Sequence, residues 1–429
     1  MLGSFKSGLF QGKGTFEWYD FKANDVNIKG RKFEGTYHKG MRHGEGIYYD
    51  GKGEVWKGSW NYDKFEGLGM VTKTNGELLQ GSFLNGKLHC DEAKIQFSNG
   101  DVYEGGVKFG TLHSEVAHMS YDYGDSSYTG QFSCNMKHGT GTRRFIDRSI
   151  YRGSFVHNVI NGQGTMHYAS NDLKQYVGSW KDGLFHGDGE LTFANNFHIE
   201  SYKGNFNKGA YDGKGMLVYS DGGYYEGHFT CKKQGLRMQT SPWNGIKHGN
   251  GTRVWVSGNK FEGTWFHDRM KEGIFFDKVN SSKYIGSFID NKRCGTSCRE
   301  FWRSNDGKPF KDPCLGWKHR ADGFCQYIGD YKCGVFHGQG VLTSSDGRKY
   351  DGDWKNGKQH GYGIAILLPN HQIGDSKRMY VGKQGTFYKP FKYEGEWCNG
   401  LRHGFGILTM LDGSTKEGTF VNGQLIKDS

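Results

Sequence analysis

Long apolar runs are missing from this sequence. No stretch of about 18 apolar residues occurs, and residues 1–6 lack the apolar core of a secretory signal. Proline is scarce, at five residues, whereas glycine reaches 70. Because 15% of the residues are aromatic, the composition is unlike that of a disordered glycine-rich tract. The sequence therefore predicts an ordered protein that resides in the cytoplasm.

The cysteines form no disulfide framework. They number nine, an odd count scattered through a long chain, which favours free thiols in a reducing compartment. Five of them crowd into a stretch that also contains His319: Cys294, Cys298, Cys314, Cys325 and Cys333. Thiolates and an imidazole are zinc ligands, but the spacing fits no known zinc motif. We expect packing residues and surface thiols here and no cofactor or metal, with a structural zinc site as the alternative.

Motifs of nucleotide-binding and hydrolytic enzymes are also missing. No Gly-x-Gly-x-x-Gly opens a helix, and neither the P-loop, His-Glu-x-x-His nor Gly-x-Ser-x-Gly pattern occurs. Carboxylates such as Glu394 and Glu396 recur on one side of predicted strands, which is typical of solvated surface. The sequence predicts that the protein is not an enzyme.

One short pattern fills the chain instead. An aromatic or aliphatic residue is followed two places later by glycine and often, after two more, by another aromatic, as in Tyr393, Gly395 and Trp397. The repeats open at Phe33, Trp56, Leu79, Tyr103, Tyr128, Tyr151, Tyr176, Tyr202, Tyr225, Phe261, Tyr284, Tyr327, Tyr350, Tyr393 and Lys416, with a further copy from Leu2. Most steps are about 23–26 residues, and three wider steps predict worn copies, such as 244–251.

Each repeat predicts one β-hairpin. In 393–397 the rings and the glycine fall on one face and the carboxylates on the other, the period of a half-buried strand. Glycine between the rings allows a neighbouring ring to lie over its backbone, and recurrent Asn-Gly and Asp-Gly pairs favour tight turns. A lone hairpin is not stable in water, so the repeats must stack and share a core. Two strands per repeat predict a rod of roughly 150 Å.

The pattern Tyr-x-Gly-x-Trp-x-x-Gly-x-x-His-Gly-x-Gly resembles the MORN repeat, the membrane occupation and recognition nexus motif. Its second half recurs in register at 43–46, 138–141, 186–189, 337–340, 360–363 and 403–406. The resemblance implies an all-β fold, an elongated solenoid-like single-layer sheet of about 15 stacked hairpins. It implies a continuous array over 1–429, with irregular insertions at 291–326 and 366–392.

Proteins of this kind include junctophilins, radial-spoke heads of axonemes and basal-complex scaffolds of parasites, so the resemblance alone fixes no single function. The leading hypothesis is a structural scaffold or adaptor rod that positions partner proteins in a large cytoskeletal assembly. The expected location is the axoneme of a cilium or flagellum. Partner-specific contacts are expected at the irregular stretches 231–244, 266–283, 291–326 and 366–392, because identical repeats cannot distinguish partners. Terminal strands, at 2–16 or 416–424, predict an end-to-end homodimer.

Charge supports a second hypothesis. The net charge is +11, and basic residues recur near the same bend of successive repeats. They are Lys39, Arg42, Lys137, Lys181, Lys208, Lys247, Lys332, Lys355, Lys358 and Arg402. Stacking would align them in a basic ridge that attracts an anionic surface, either acidic phospholipid or acidic protein, although edge lysines also serve solubility. The alternative function is thus a peripheral tether that binds anionic phospholipids. No nucleic-acid partner is expected.

The histidines that precede Gly-x-Gly are expected at the bends, in a row roughly 10 Å apart. That spacing is too wide for two of them to share a metal. Each is therefore predicted to hydrogen-bond its own bend.

Overall fold

The structure is a computed structural model of the chain. It describes residues 2–18, 30–121, 124–194, 198–231, 245–303, 310–311, 318–319, 323–366, 380–381, 387–388 and 390–426. In these ranges the regular elements are β-strands and no α-helix occurs. The described residues accordingly include no helix long and apolar enough to span a membrane.

The strands form two compact bodies. The N-terminal body comprises Met1–Phe197 and Lys203–Gly209, and the C-terminal body comprises His198–Tyr202 and Ala210–Ser429. The division falls within one strand, β19 (Ile199–Asn207).

The N-terminal body contains β1 (Leu2–Lys6), β2 (Leu9–Trp18), β3 (Arg31–His38), β4 (Met41–Tyr49), β5 (Val55–Asn61), β6 (Lys64–Thr72), β7 (Leu78–Leu84), β8 (Lys87–Leu88), β9 (Cys90–Gln96), β10 (Val102–Lys108), β11 (Thr111–Leu112), β12 (Ser114–Tyr121), β13 (Ser126–Ser133), β14 (Met136–Arg144), β15 (Ile150–Val156), β16 (Val159–His167), β17 (Leu173–Lys181) and β18 (Leu184–Phe193). Each long strand pairs antiparallel with the one before and the one after it.

The C-terminal body contains β20 (Ala210–Tyr219), β21 (Tyr224–Cys231), β22 (Gly245–Val254), β23 (Lys260–Phe266), β24 (Arg269–Asp277), β25 (Ser282–Ile289), β26 (Lys292–Arg293), β27 (Gly295–Arg303), β28 (Phe310–Lys311), β29 (Lys318–His319), β30 (Phe324–Lys332), β31 (Val335–Ser344), β32 (Lys349–Lys355), β33 (Lys358–Ile366), β34 (Tyr380–Val381), β35 (Phe387–Tyr388), β36 (Pro390–Cys398), β37 (Leu401–Met410), β38 (Thr415–Val421) and β39 (Gln424–Leu425). Its long strands follow the same chain-order pairing. Each body is an open antiparallel sheet of hairpins, which confirms the predicted all-β fold.

We number each repeat from its opening residue, so that Tyr393 is position 1, Trp397 position 5 and Arg402 position 10. Positions 6 and 9 flank a two-residue turn and pair with each other, as do positions 5 and 10. Position 1 pairs further along the second strand, with Leu408 in this repeat. The ladder shifts register between Gly395 and Trp397, so the strand of position 11 carries a bulge.

The ring at position 1 packs over the paired glycines of the two strands of its own hairpin. Tyr176 is fully buried, and its hydroxyl donates to the carbonyl oxygen of Ser179 at 2.9 Å. A Cβ on Gly178 would lie 2.5 Å from the Cα of Gly189, and a Cβ on Gly189 would lie 2.4 Å from the hydroxyl oxygen of Tyr176. The two glycines are therefore required by the close approach of backbone and ring. The same hydroxyl bond, at 2.7–3.2 Å, recurs at Tyr103, Tyr128, Tyr151, Tyr225, Tyr284, Tyr327, Tyr350 and Tyr393.

Rings at positions 1 and 5 form the core of each body. Tyr128 meets Phe132 of its own hairpin at 5.3 Å between centroids and Phe155 of the next hairpin at 5.1 Å, both edge to face. Such contacts continue from Tyr103 to Phe206 in the N-terminal body and from Tyr202 to Phe420 in the C-terminal body. Edge-to-face pairs contribute about 0.5–1.5 kcal/mol each beyond the apolar area that they bury. We call this row of rings the aromatic face.

The wide steps of the repeat contain insertions. Each insertion joins two strands that already pair: Cys231 with Gly245, Arg303 with Phe324, and Ile366 with Lys392. The worn copy expected at 244–251 lies in β22, the second strand of the hairpin that opens at Tyr225. Each wide step thus contains one hairpin and one insertion.

The predicted irregular segments are correspondingly narrower. The prediction for 266–283 is wrong, because β24 pairs regularly with β23 and with β25. Within 291–326, β27 pairs with β25 and β30, which leaves 304–322 as the insertion. Most of 232–244, 304–322 and 367–389 lies outside the described residues, and there only the short pairs β28–β29 and β34–β35 are described.

Candidate functional site

The ten residues of the predicted basic ridge lie on two different surfaces. Six are exposed at hairpin tips: Lys39, Lys181 and Lys208 in the N-terminal body, and Lys332, Lys355 and Lys358 in the C-terminal body. Four face the rings: Arg42, Lys137 and Arg402 at position 10, and Lys247 at the equivalent place after the insertion 232–244, where it pairs with Phe229. The prediction of one ridge that includes these four residues is wrong. Position 10 pairs with the ring at position 5, which turns its side chain onto the aromatic face.

The hairpin tips combine lysine or arginine with apolar residues. Paired positions 6 and 9 join one cation to one apolar residue in Lys6–Leu9, Leu84–Lys87, Lys181–Leu184, Phe266–Arg269, Ile289–Lys292 and Lys332–Val335. None of the described 6/9 pairs contains a carboxylate. Leu184 is 38% exposed and Val335 is 42% exposed. We call the residues at positions 6 and 9 of successive hairpins the tip row of each body.

Most cations at position 10 are neutralised locally. Arg42 stacks 4.2 Å from the centroid of Trp60, and its Nε lies 2.9 Å from the carboxylate of Asp63. Lys247 likewise lies 3.3 Å from the carboxylate of Asp268. Asp63 and Asp268 occupy position 8 of the following repeat. The carboxylate of the next hairpin thus compensates the cation of the preceding one.

Two other cations at position 10 find oxygen acceptors. Arg293 pairs at 2.6 Å with Glu300, a buried carboxyl that also accepts from the hydroxyls of Ser282 and Tyr331. Burial raises the pKa of Glu300, although Arg293 opposes that effect. Arg402 donates from Nη2 to the carbonyl oxygen of Gly423 at 3.0 Å.

Lys137 differs from these four cations. Position 8 of the following repeat is Asn158, whose amide oxygen accepts only from the backbone N–H of Lys137, at 2.8 Å. The ammonium lies 5.1 Å from the centroid of Tyr121 and 5.7 Å from that of Tyr128, and no carboxylate within the described residues pairs with it. Burial, and secondly the charge of Arg143, lowers the pKa of Lys137 to about 8.

Arg143 brings a second charge to the same place. Its guanidinium lies 4.2 Å from the centroid of Tyr121, and Nη2 donates to the hydroxyl of Ser126 at 3.4 Å. Its Nη1 is buried without a hydrogen-bond partner. Lys137 and Arg143 therefore form a cation pair on the aromatic face.

A groove of about 830 Å³ opens on the aromatic face, lined mainly by residues of the repeats that precede this pair. Its apolar lining includes Leu79, Leu88, Val107, Leu112 and Met119. Leu79 stands at position 1 and Val107 at position 5, where other repeats carry rings. Within the described residues no ring contact joins Phe83 to Tyr103, so the groove lies where the row of rings is interrupted.

Comparison of the chain with protein-family models finds a repeat that accounts for the constant pairing register of the hairpins. The family model described as MORN repeat matches residues 2–21, 33–55, 56–77, 128–150, 151–173, 176–196, 202–224, 243–260, 284–296, 327–347, 350–366 and 393–415, more than half of the chain. The chain belongs to the MORN repeat family.

The structure adds MORN hairpins that the family model does not match. β7 with β9 and β10 with β12 keep the pairing of their neighbours but lie outside the matched residues. Ala93 and Ala117 stand here near the place of the second glycine, and both are buried. Loss of rings and glycines in these two repeats removes the sequence signal while the ladder persists.

Similarity to individual proteins is limited. Alsin of Rattus norvegicus is 26% identical over 176 residues, and Alsin of Homo sapiens is 24% identical over the same length. Each match covers 39% of this chain and 8% of Alsin.

Two solved structures also match. A streptogramin B lyase has 11% identity and a TM-score of 0.12, with 80% of this chain and 95% of that chain covered. Selenomethionine-substituted virginiamycin B lyase from Staphylococcus aureus has 10% identity and a TM-score of 0.11, with 95% and 88% covered. Scores this low show neither a shared fold nor a shared activity.

The histidines of the MORN motif are expected to hydrogen-bond their own bends, and the structure shows ring contacts for two of them. His43 contacts the ring of Tyr62 at 4.7 Å between centroids, and His248 contacts that of His267 at 5.7 Å. Nδ1 is buried without a hydrogen-bond partner in His43, His248, His337 and His360. In these four rings Nδ1 therefore does not make the predicted hydrogen bond to the local bend.

The cysteine-rich stretch is partly described. Cys298 and Cys325 are buried within strands, and Cys294 and Cys333 also carry free thiols. Cys298 lies against Gly286, where a Cβ would approach its sulfur to 2.7 Å. The described residues hold no group of three or more potential metal ligands. Cys314 and the side chain of His319 lie outside the described residues.

Proposed function

We propose that this MORN protein is a structural scaffold or adaptor that positions partner proteins in a large cytoskeletal assembly. The main support for this proposal is the constant pairing register of the hairpins. In each body, successive hairpins present equivalent tip residues, spaced about 10 Å apart. Resemblance to the MORN proteins of radial spokes makes the axoneme of a cilium or flagellum our proposed location.

We further propose that the protein is not an enzyme. Its recurrent outward carboxylates are engaged in ion pairs with the lysine two residues earlier, as in Lys349–Asp351 at 2.8 Å and Lys392–Glu394 at 2.7 Å. The lysine lowers the pKa of Glu394, which keeps the carboxylate charged. A permanently charged, solvated carboxylate is poorly suited to transferring protons at neutral pH.

The test is affinity purification from the native cell, with extraction first in low salt and then in high salt. Recovery with cytoskeletal or axonemal proteins that survives high salt supports the scaffold. A preparation without stable protein partners contradicts it.

The insertions allow a sharper version of this test. Because Ile366 already pairs with Lys392, residues 367–389 can be replaced by a short Asp-Gly turn of the kind found at 412–413. The excised protein should keep its thermal unfolding midpoint and lose one specific partner. Equivalent excision of 304–322, bounded by the pair Arg303–Phe324, is the matched control. Unchanged partners in both proteins would contradict a recognition role for the insertions.

The tip row favours one alternative, a peripheral tether to anionic membranes. Cations beside exposed apolar residues suit the interface between headgroups and acyl chains, at about 1 kcal/mol per basic residue. Sedimentation with phosphatidylserine vesicles at rising salt tests it. Charge reversal of Lys355 and Lys358 should abolish binding, whereas Arg402→Gln, on the aromatic face, is the control that should retain it. Failure of wild-type protein to bind at low salt excludes the tether.

A further inference from the structure

In five consecutive repeats, the residue at position 10 and the strand partner of position 1 show where the aromatic face changes from apolar to charged. From the repeat of Trp56 to that of Tyr151, position 10 is Phe65, Leu88, Leu112, Lys137 and Ile160. The partners of position 1 are Val71, Ile95, Met119, Arg143 and Met166. At these two positions of the five repeats, only the repeat of Tyr128 carries charged residues, and both charges are positive.

Half-burial of two cations without a carboxylate is energetically unfavourable. Each loses hydration, and their mutual repulsion adds to that loss. Contacts with the ring faces of Tyr121 and Tyr128 recover part of that loss. A matching anion would recover more, because charge-assisted hydrogen bonds are about twice as strong as neutral ones.

Other repeats of this chain identify the kind of anion. At the equivalent cations Arg42 and Lys247, the compensating group is a carboxylate, Asp63 or Asp268. Asn158 stands at that place beside Lys137. The cation pair therefore lacks the carboxylate that the same geometry uses twice elsewhere.

The groove supplies apolar contacts one repeat away from the pair. Its floor includes Leu88 and Leu112, which occupy the same position as Lys137 in the two preceding hairpins. One hairpin step is about 10 Å, the length of roughly three residues of extended chain. Leu112 lies one step and Leu88 two steps from Lys137. An apolar side chain seated between the two leucines would therefore lie about 15 Å, or about four to five residues of extended chain, from a carboxylate at Lys137.

We propose that this groove and cation pair form a docking site for an apolar segment of a partner protein that carries an aspartate or glutamate about four to five residues from its apolar anchor. Leu88, Val107 and Leu112 receive the anchor, and Lys137 and Arg143 receive the carboxylate. The site rests on the proposed scaffold function and gives it a partner chemistry.

Selection from a phage-displayed library of random peptides of about 12 residues tests the site. Peptides that bind the wild-type protein should be enriched in a bulky apolar residue and an acidic residue separated by about three or four others. The best of these, labelled and measured by fluorescence anisotropy, should lose about tenfold in affinity when its acidic residue is changed to the amide.

Two variants copied from other repeats remove the site without threatening the fold. Val107→Phe places in the groove the ring that Phe83 and Phe132 carry at position 5. Asn158→Asp supplies Lys137 with the carboxylate that Asp63 and Asp268 supply elsewhere. Each should weaken the peptide at least tenfold while leaving the thermal unfolding midpoint equal or higher. Asp268→Asn, in the C-terminal body, is the control that should leave affinity unchanged.

Selected peptides without the apolar–acidic pattern, or with affinities indifferent to both variants, would overturn the proposal. So would binding of phosphatidylserine vesicles that depends on Lys137, because the pair would then face a membrane. Failure of the scaffold is a separate result: it appears in the affinity purification as an absence of partners, whereas failure of this site alone leaves partners that Val107→Phe and Asn158→Asp do not displace.

Discussion

At the scale of single residues, the ring at position 1 determines how two strands fit together. It fills the space that two glycines leave, and its hydroxyl satisfies a carbonyl oxygen of its own strand. Phe33 and Phe261 occupy the same position without a hydroxyl, so the ring is essential to packing and the hydrogen bond is an addition. The two contributions can be separated by exchanging Phe and Tyr.

Tyr176→Phe should lower the local stability of β17 and β18 by about 1 kcal/mol, because the carbonyl oxygen of Ser179 loses its donor. Tyr176→Ala should cost about 3–5 kcal/mol, because it empties a fully buried site. Native-state hydrogen exchange of these strands measures both. The reciprocal change Phe33→Tyr should stabilise its hairpin through a bond to the carbonyl oxygen of Thr36. Equal losses for the first two variants would show that the ring itself contributes little.

Lys137 should make stability depend on pH in a recognisable way. Its folded-state pKa, about 8, lies below its ordinary value of 10.5, so the charged form disfavours the folded state. Between pH 8 and 10.5 the folded protein releases this proton while the unfolded chain keeps it, and stability rises with pH. Because Lys137 is only partly buried, solvent screening reduces the effect, and Lys137→Met should add on the order of 1–2 kcal/mol at pH 7, with the advantage lost by about pH 10.5.

Urea unfolding of wild type and variant at pH 7 and pH 10.5 checks this prediction. Lys247→Met serves as the control, since it removes a cation that pairs with Asp268 and should give no gain at pH 7. An equal gain from both variants would mean that apolar area, and not charge, is responsible.

At the scale of the hairpin, glycine has two separate roles. Gly178 is needed because a Cβ there would meet the Cα of Gly189 at 2.5 Å, whereas Gly183 lies in the turn with φ +77° and open space around it. Gly178→Ala should therefore disrupt the hairpin β17–β18, at a cost above about 3 kcal/mol. Gly183→Ala should cost about 1 kcal/mol from backbone strain, and Gly183→Asn less, because asparagine tolerates that conformation. Thermal unfolding midpoints in this order support the distinction, and similar losses for Gly178→Ala and Gly183→Ala would contradict it.

Strand alternation and turn pairs predict the hairpins from sequence, and the fold follows from their repetition. The candidate site is harder to predict, because the register shift between Gly395 and Trp397 breaks simple alternation. Strand alternation alone predicts that Arg402 and Lys137 lie in the bend. In the structure, position 10 pairs with position 5 and a bulge follows, so both side chains point toward the rings. The missing carboxylate at Asn158 becomes apparent only once Asp63 and Asp268 are seen in the equivalent place.

At the scale of the whole molecule, stability in each body is a sum over neighbouring hairpins. We expect the link between Phe83 and Tyr103 to be the weakest in the N-terminal body, because aliphatic residues replace the rings there. Amides of residues 78–121 should exchange faster with deuterium than those of 128–193, by at least tenfold. Hydrogen exchange with mass spectrometry checks this. Val107→Phe should slow exchange in the first segment only; uniform exchange across both segments would contradict the nearest-neighbour picture.

The row of rings also gives the protein an optical property. Tyrosines such as Tyr151, Tyr176 and Tyr350 lie 5.0–5.4 Å from a tryptophan ring, close enough to pass excitation energy to it. Light absorbed by tyrosine should therefore emerge mainly as tryptophan emission while the hairpins are stacked. Tyr151 faces Trp180 of the next hairpin, so separation of these two hairpins would restore emission from Tyr151. Tyr176 and Tyr350 keep a tryptophan on their own strand and would stay quenched. The chain can thus report the loosening of one junction without any attached dye.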